Sequence, residues 1–272
     1  MIPTITVSSW AELLEELYRD SWDQAIDRFR SPYVFRGGPD AASDLSTSLM
    51  RLGAGYKKLA RLESHMIRNF RKYAHISAEA QLGSSLWNWL ALAQHHGLQT
   101  RLLDWTYSPM VAMHFVTENL KHYDIDGQVW CVNHRAAARL LPKPLRKVAE
   151  REGSDVFTAQ MLDHVANELG AFDKLSREDF VVFLEPPSLD ARIVNQFALF
   201  SLMNQPARGL HVLLEKHPEL AKRIVIPAAL KWEVRDKLDQ AGITERMLYP
   251  GLDGLSRWLS RYYTPGMRKE KS

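Results

Sequence analysis

Three stretches of the chain carry residue types suited to chemistry on an anion or a sugar. The first is SPYVFRGGPD, residues 31–40, where an apolar run ends in Arg36 and two glycines. Tyr33, Val34 and Phe35 have strand character, and Gly37 and Gly38 tolerate a sharp turn, so Arg36 is expected at a strand mouth. A guanidinium held there can grip a phosphate or carboxylate through parallel N–H donors. The plainer alternative is a structural salt bridge at the strand end. The second stretch, AQHHGLQTRLLDWTYSPMVAMHFVTE, sets His95, His96, Arg101, Asp104 and Trp105 within eleven residues. Arg101 and Asp104 either pair with each other or divide the work, Arg101 on a phosphate and Asp104 orienting a histidine. The third, FVVFLEPP, ends a strand at Glu185, and Gln196 follows in RIVNQFALFSLMN.

Other chemistries find no support. Adjacent His95 and His96 point in different directions on a helix, with neither a Glu-flanked histidine pair nor a cysteine pair beside them, so no metal is expected. No P-loop, dinucleotide glycine fingerprint or nucleophile elbow occurs. Cys131 is the single cysteine, which excludes an intrachain disulfide and fits a reducing compartment. A formal net charge of +3 over 272 residues does not by its total mark a nucleic-acid-binding protein. No apolar run approaches the roughly 20 residues that span a bilayer. The N-terminus has no signal pattern, so a cytoplasmic protein with no membrane partner is expected.

The elements that must position these groups read as α+β. SSWAELLEEL opens a helix with Ser9 and Glu12 as a capping box, and Leu14, Leu17, Ala25, Ile26 and Phe29 carry its apolar face to residue 30. A second helix is expected from Tyr56 to His75, burying Leu59, Leu62, Met66, Phe70 and Tyr73. Arg61, Arg68, Arg71 and Lys72 fall mostly on its other side, a solvated face on this pattern. SSLWNWLALAQHHG is a third helix closed by Gly97, and LQTRLLDWTYS reads as a connection to a fourth, capped by Ser108 with Pro109 in its first turn. QVWCVN, FVVFLEPP, LHVLL, RIVIP and RIVNQFALFSLMN are strand candidates, the last able to begin as a helix. Helical stretches near 135–150 and 155–169, a helix opened by Pro227 and a last one capped by Asp253 complete the chain. The mixed order gives a single compact domain with a mixed or split antiparallel β core flanked by several helices.

Taken together, YVFRGG, SLMR at 48–51 and QHHGLQTRLLDWTYSPMVAMHF resemble the FRG domain, a family named for its Phe-Arg-Gly strand. ARIVNQFALFSL and LYPGLDGLSRWL resemble its closing segments, so the likeness covers about residues 33–259. Phe197-Ala198 stand where the family tends to carry glycine, and Gln99 where it carries proline. The resemblance implies an FRG-like domain over 31–263, preceded by an N-terminal helix over 1–30 and followed by a mobile basic tail, 264–272. FRG domains are bacterial and phage-associated, often near defence or toxin-like modules, which implies an intracellular effector. The aromatic-Arg-Gly strand end is also the first motif of arginine-type ADP-ribosyltransferases, whose split antiparallel core holds NAD. That likeness implies NAD as substrate and ADP-ribose transfer to a macromolecule, or NAD cleavage. Arg36, Gly37, Arg51, Arg101 and Gln196 become candidates for cofactor binding, and Glu185, Asp104 and His95 for catalysis. A carboxylate is needed because the ribose passes through an oxocarbenium-like state. Expected partners are a nucleotide-type small molecule and a protein or nucleic-acid acceptor. Two other readings stand beside this one: a non-catalytic ligand- or protein-binding sensor, and a nucleic-acid-binding protein using basic helix faces.

Overall fold

The computed structural model describes residues 1–53, 55–74, 82–188 and 190–266. Its strands are β1 (Thr4–Thr6), β2 (Trp22–Asp23), β3 (Arg28–Phe29), β4 (Tyr33–Gly38), β5 (Leu102–Thr106), β6 (Gly127–Asn133), β7 (Val181–Leu184), β8 (Ala198–Met203) and β9 (Ala221–Ile226). The helices begin with α1 (Trp10–Tyr18), α2 (Tyr56–Ala74), α3 (Leu86–His95) and α4 (Pro109–Thr117). They continue with α5 (His134–Ala138), α6 (Lys143–Glu152), α7 (Ala159–Asp163), α8 (Leu169–Asp173) and α9 (Ala191–Asn195). The last four are α10 (Leu210–Lys216), α11 (Lys231–Gln240), α12 (Glu245–Leu248) and α13 (Leu252–Tyr262).

Seven strands form one mixed sheet in the order β1-β9-β6-β4-β5-β8-β7, antiparallel throughout except for β1 beside β9. β6 is buried from Gly127 to Val132, as an apolar strand covered on both faces must be. Over one face, α1, α4 and α11 pack on Phe35, Val129, Cys131 and Ile224. On the same face of the other half-sheet, α3, α6, α7 and α8 pack on Leu102, Val182, Leu184, Phe200 and Leu202. α5 and α10 close the opposite face on Val34, Leu103, Trp105, Val132 and Phe183.

The two halves join at one place. Among the described residues β4 pairs with β5 only at Phe35 opposite Thr106. Beyond that pair, Arg36–Gly38 hydrogen-bond outward to β6, and Leu102–Trp105 outward to β8. The facing edges of β4 and β5 therefore part, and so do the helix groups above them, with α3 on one side and α4 on the other. Of the two expected cores, mixed or split antiparallel, the structure has the mixed one: a single seven-stranded sheet with a local opening between β4 and β5.

Several expectations need correction. Residues 1–30 do not form one helix: β1 joins the sheet, α1 stops at Tyr18, and β2 and β3 make a small hairpin with Trp22 stacked edge-on against Phe29 at 5.1 Å. The helix ends where Arg19 turns to ψ 139°, and Asp20 follows with φ +64°. LQTRLLDWTYS contains a central strand, β5, rather than a plain connection; LHVLL lies in α10. Gly37 and Gly38 make no turn, since β4 runs through both and neither has positive φ. Gly37 is small for another reason: a Cβ there would lie 1.8 Å from the carbonyl oxygen of Ala112, so α4 could not press on β4. The last helix is preceded by Gly251, with Asp253 in its first turn rather than capping it. His75 and residues 267–272 of the basic tail lie outside the described residues. The Ser108 cap and first-turn Pro109 of α4 are as expected.

Candidate functional site

A cleft of about 630 Å³ opens where β4 and β5 part. β4 supplies Phe35, Arg36 and Gly37, β5 supplies Asp104, Trp105 and Thr106, and the end of α3 supplies Gln94, His95 and His96. Phe115 and Glu118 line it from α4 and its C-terminus, and Arg192, Gln196, Ala198 and Tyr249 close the far wall.

Arg36 reaches across the gap. Its Nη1 donates to the Asp104 carbonyl at 2.6 Å, a β5 group with no strand partner on that side, and lies 3.8 Å from the Asp104 carboxylate. Burial pulls the guanidinium below its usual range, Asp104 pulls it back up, and Arg51 adds a like-charge push downward. The side chain stays 30% exposed, so this cation is both held and open to a ligand. Asp104 is the outward residue of an otherwise buried strand, and Gln94 Nε2 donates to both its carboxylate oxygens at 3.3 and 3.2 Å. Gln94 is itself fixed because its Oε1 accepts from the Thr100 hydroxyl at 2.6 Å.

At the end of α3, His95 Nε2 stands 2.7 Å from Asp190 Oδ2. Burial lowers the imidazole pKa and Asp190 only partly opposes it, so the ring is neutral near pH 7. Nε2–H then donates to Asp190, and Nδ1 is left as the basic nitrogen.

A second carboxylate enters from α4. The Tyr249 hydroxyl donates to Glu118 Oε2 at 3.1 Å, and His114 Nε2 faces the same oxygen at 3.4 Å. His114 is fully buried, and Arg235 Nη1 lies 2.9 Å from its Nδ1. Arginine can only donate, so Nδ1 accepts and the ring hydrogen sits on Nε2, aimed at Glu118. Arg235 is held in turn by Asp239 at 3.0 Å, and Arg261 ties Asp239 to Glu245. Arg192 stacks over the Tyr249 ring at 5.0 Å. Burial, with Glu118 beside it, raises the Tyr249 pKa, which keeps the hydroxyl protonated as a donor.

Of the residues expected from sequence, Arg36, Gly37, Asp104, His95 and Gln196 line the cleft. Gly37 does so through its missing side chain. Gln196 acts on the frame, its Nε2 donating to the Leu248 carbonyl at 3.1 Å while its own carbonyl accepts from Thr106 at 2.7 Å. Arg101 is a correction. It is 2% exposed, outside the cleft, and spent on two buried carboxylates: its amide and Nε donate to Glu63 at 2.8 and 2.7 Å, and Nη1 and Nη2 to Asp173. Arg101 lies just before β5, outside the strand, and its guanidinium is held between α2 and α8 by Glu63 and Asp173. Arg51 does not line the cleft; its Nη1 donates to the Ser46 carbonyl at 3.0 Å. Glu185 also lies off the cleft, accepting from the Tyr107 hydroxyl at 2.8 Å. Glu118, Tyr249, Asp190 and Arg192 were missed. Only Glu118 left a local signal, standing four residues after His114 on one helix face.

The family model of the FRG domain matches residues 31–125. The chain carries an FRG domain. The matched segment holds β4, α3, β5 and α4, which are both lips of the cleft and the Arg36, Asp104, His95 and Glu118 side chains. The far wall, from Arg192 to Tyr249, lies outside the matched residues. No curated protein and no solved structure matches the chain. Phe197, where the FRG resemblance expects glycine, has φ +48° between two cleft-lining residues. A non-glycine residue there carries roughly 1–2 kcal/mol of strain, which glycine would avoid. Among the described residues, no group of three or more metal-ligating side chains occurs, and no helix is long and apolar enough to cross a membrane.

Proposed function

We propose that the cleft of the FRG domain takes NAD as a substrate and breaks its nicotinamide–ribose bond, passing ADP-ribose to a macromolecular acceptor or to water. One observation carries the reading: a partly exposed arginine stands at the parting of the sheet, and across the same cleft the Glu118 carboxylate accepts from the Tyr249 hydroxyl, with His114 Nε2 3.4 Å away. Arg36 would grip the diphosphate, and the aromatic surfaces of Phe115 and Tyr249 suit the rings. Glu118 would face the developing positive charge on the ribose, replacing Glu185 in that role.

In this scheme the bond between nicotinamide N1 and ribose C1′ breaks, and nicotinamide leaves as a neutral ring with the electron pair. Positive charge is shared by C1′ and the ring oxygen, where a carboxylate lowers the barrier. The acceptor atom then forms its bond to C1′ and yields its proton to Nδ1 of His95 or to water.

Incubation with NAD, with released nicotinamide followed by chromatography, tests this directly. Release by the wild type is expected, with NAD affinity lost in Arg36→Ala. Glu118→Gln should bind NAD and release little. If NAD binds through Arg36 with no release, the cleft belongs to a non-catalytic sensor. If the wild type neither binds nor cleaves NAD, the proposal fails.

A further inference from the structure

α2 is the most one-sidedly charged element of the fold. Over Tyr56–Ala74 it carries six cations, Lys57, Lys58, Arg61, Arg68, Arg71 and Lys72, against a single acid, Glu63. Glu63 is fully buried and bonded to Arg101, so its charge is turned into the core and spent there. At 100° per residue, Lys57, Arg61, His65, Arg68 and Lys72 fall within an arc of about 80°. All five are exposed. Arg68 Nη2 lies 3.3 Å from His65 Nδ1 on this face.

A merely solvated face does not account for this pattern. Solvated helix faces ordinarily interleave acids and bases at i,i+4, which stabilises the helix. Here Lys57–Arg61 and Arg68–Lys72 are like-charge i,i+4 pairs, which oppose it. Lys57 and Lys58 also occupy the first turn, at the positive end of the helix dipole, with no acidic residue there. The fold bears this self-repulsion on one straight face about 22 Å long. A polyanion would relieve it.

We infer that the outward face of α2 binds the phosphate backbone of a nucleic acid, with Lys57, Arg61, Arg68 and Lys72 each facing a phosphate. The stripe matches about six base pairs of duplex at 3.4 Å per step. Binding of this kind reads charge and not sequence. The surface is separate from the cleft, so it stands or falls without the NAD reading.

The experiment is fluorescence anisotropy with a labelled random-sequence DNA duplex of about 24 base pairs, at several salt concentrations. Four phosphate contacts predict a slope of log affinity against log salt of about −3 to −4, equivalent to roughly 100-fold weaker binding between about 50 and 200 mM. The triple variant Arg61→Glu/Arg68→Glu/Lys72→Glu should lose at least about tenfold in affinity at the lowest salt and flatten the slope to about −1. The neutral variant with glutamine at the same three positions should flatten it similarly, and serves if charge reversal disturbs folding by circular dichroism. Vesicles of phosphatidylserine and phosphatidylcholine form the second arm. Absence of duplex binding at low salt, a slope unchanged in both variants, or binding of vesicles in place of the duplex would overturn the inference.

Discussion

Replacing Arg101 by methionine separates a structural arginine from a binding one. The guanidinium is sandwiched between Glu63, which is fully buried, and Asp173, whose side chain is 7% exposed. Removing it leaves two carboxylates in a dry interior, with Glu63 keeping only the Arg101 backbone amide as a donor. Breaking a buried pair in this way costs about 3–5 kcal/mol. At about 2–4 °C per kcal/mol for a domain of this size, the midpoint should fall by roughly 10 °C. Asp173 sharpens the prediction, because burial already raises its pKa while Arg101 opposes the rise. Without Arg101 the folded-state pKa climbs further above the unfolded value, so the folded protein binds more protons than the unfolded chain. Stability of the variant must then rise relative to wild type as pH falls from neutrality through the carboxylate range. Thermal unfolding followed by circular dichroism at several pH values reads both effects. NAD affinity, where the wild type binds it, should be unchanged under conditions that keep the variant folded. A variant as stable as wild type that has lost nucleotide binding would refute the reasoning and return Arg101 to the cleft.

Two other predictions concern the frame of the site. Gly37→Ala would place a Cβ 1.8 Å from the Ala112 carbonyl oxygen, a backbone atom that cannot rotate away, so α4 must shift. A loss of about 1–3 kcal/mol is expected in chemical denaturation, and an unaltered midpoint would contradict the close approach. His134, with Nδ1 buried and without a partner, has its pKa pushed down by burial to about 4. Its folded value lies below its unfolded one, so the stability it contributes is full above about pH 6.5 and is lost as pH falls toward 4. His134→Phe should remove roughly 2 kcal/mol of the decline seen between about pH 6.5 and 5, and a decline of equal steepness in the variant would show the imidazole is not responsible.

What could be read from the sequence follows the range of the interactions. Arg36 was legible because strand propensity and the glycines that follow act locally, although Gly37 proved to serve helix packing rather than a turn. β5 was not legible. TRLLDWT begins with a basic residue that pairs with α2 and α8, and carries an acid mid-strand that faces the parting of the sheet. Each looks like loop chemistry until the partners are known. LHVLL has strand composition, yet five such residues are equally one buried helical turn and a half, and packing over Val34 and Trp105 decides between them. Glu118 gained its meaning from Tyr249 and Arg235, more than a hundred residues downstream.

The two arginines of the sequence motifs show how one residue type divides its work by surroundings. Arg101 has a carboxylate on each side and a raised pKa, so its charge is neutralised internally and it has nothing left to offer a ligand. Arg36 has one hydrogen bond to a carbonyl, a carboxylate at 3.8 Å and a lowered pKa, so its charge is under-compensated. An anion entering the cleft would restore what burial has taken from Arg36, whereas at Arg101 it would have to displace bonds already made. The same accounting extends to α2. Because Arg101 draws Glu63 inward, the helix above it loses its only acid from the surface, and among the described residues the cations on the outer face form no ion pair. The buried ion pair that withholds one arginine from the cleft thus leaves α2 basic, coupling the composition of the core to the charge of the surface.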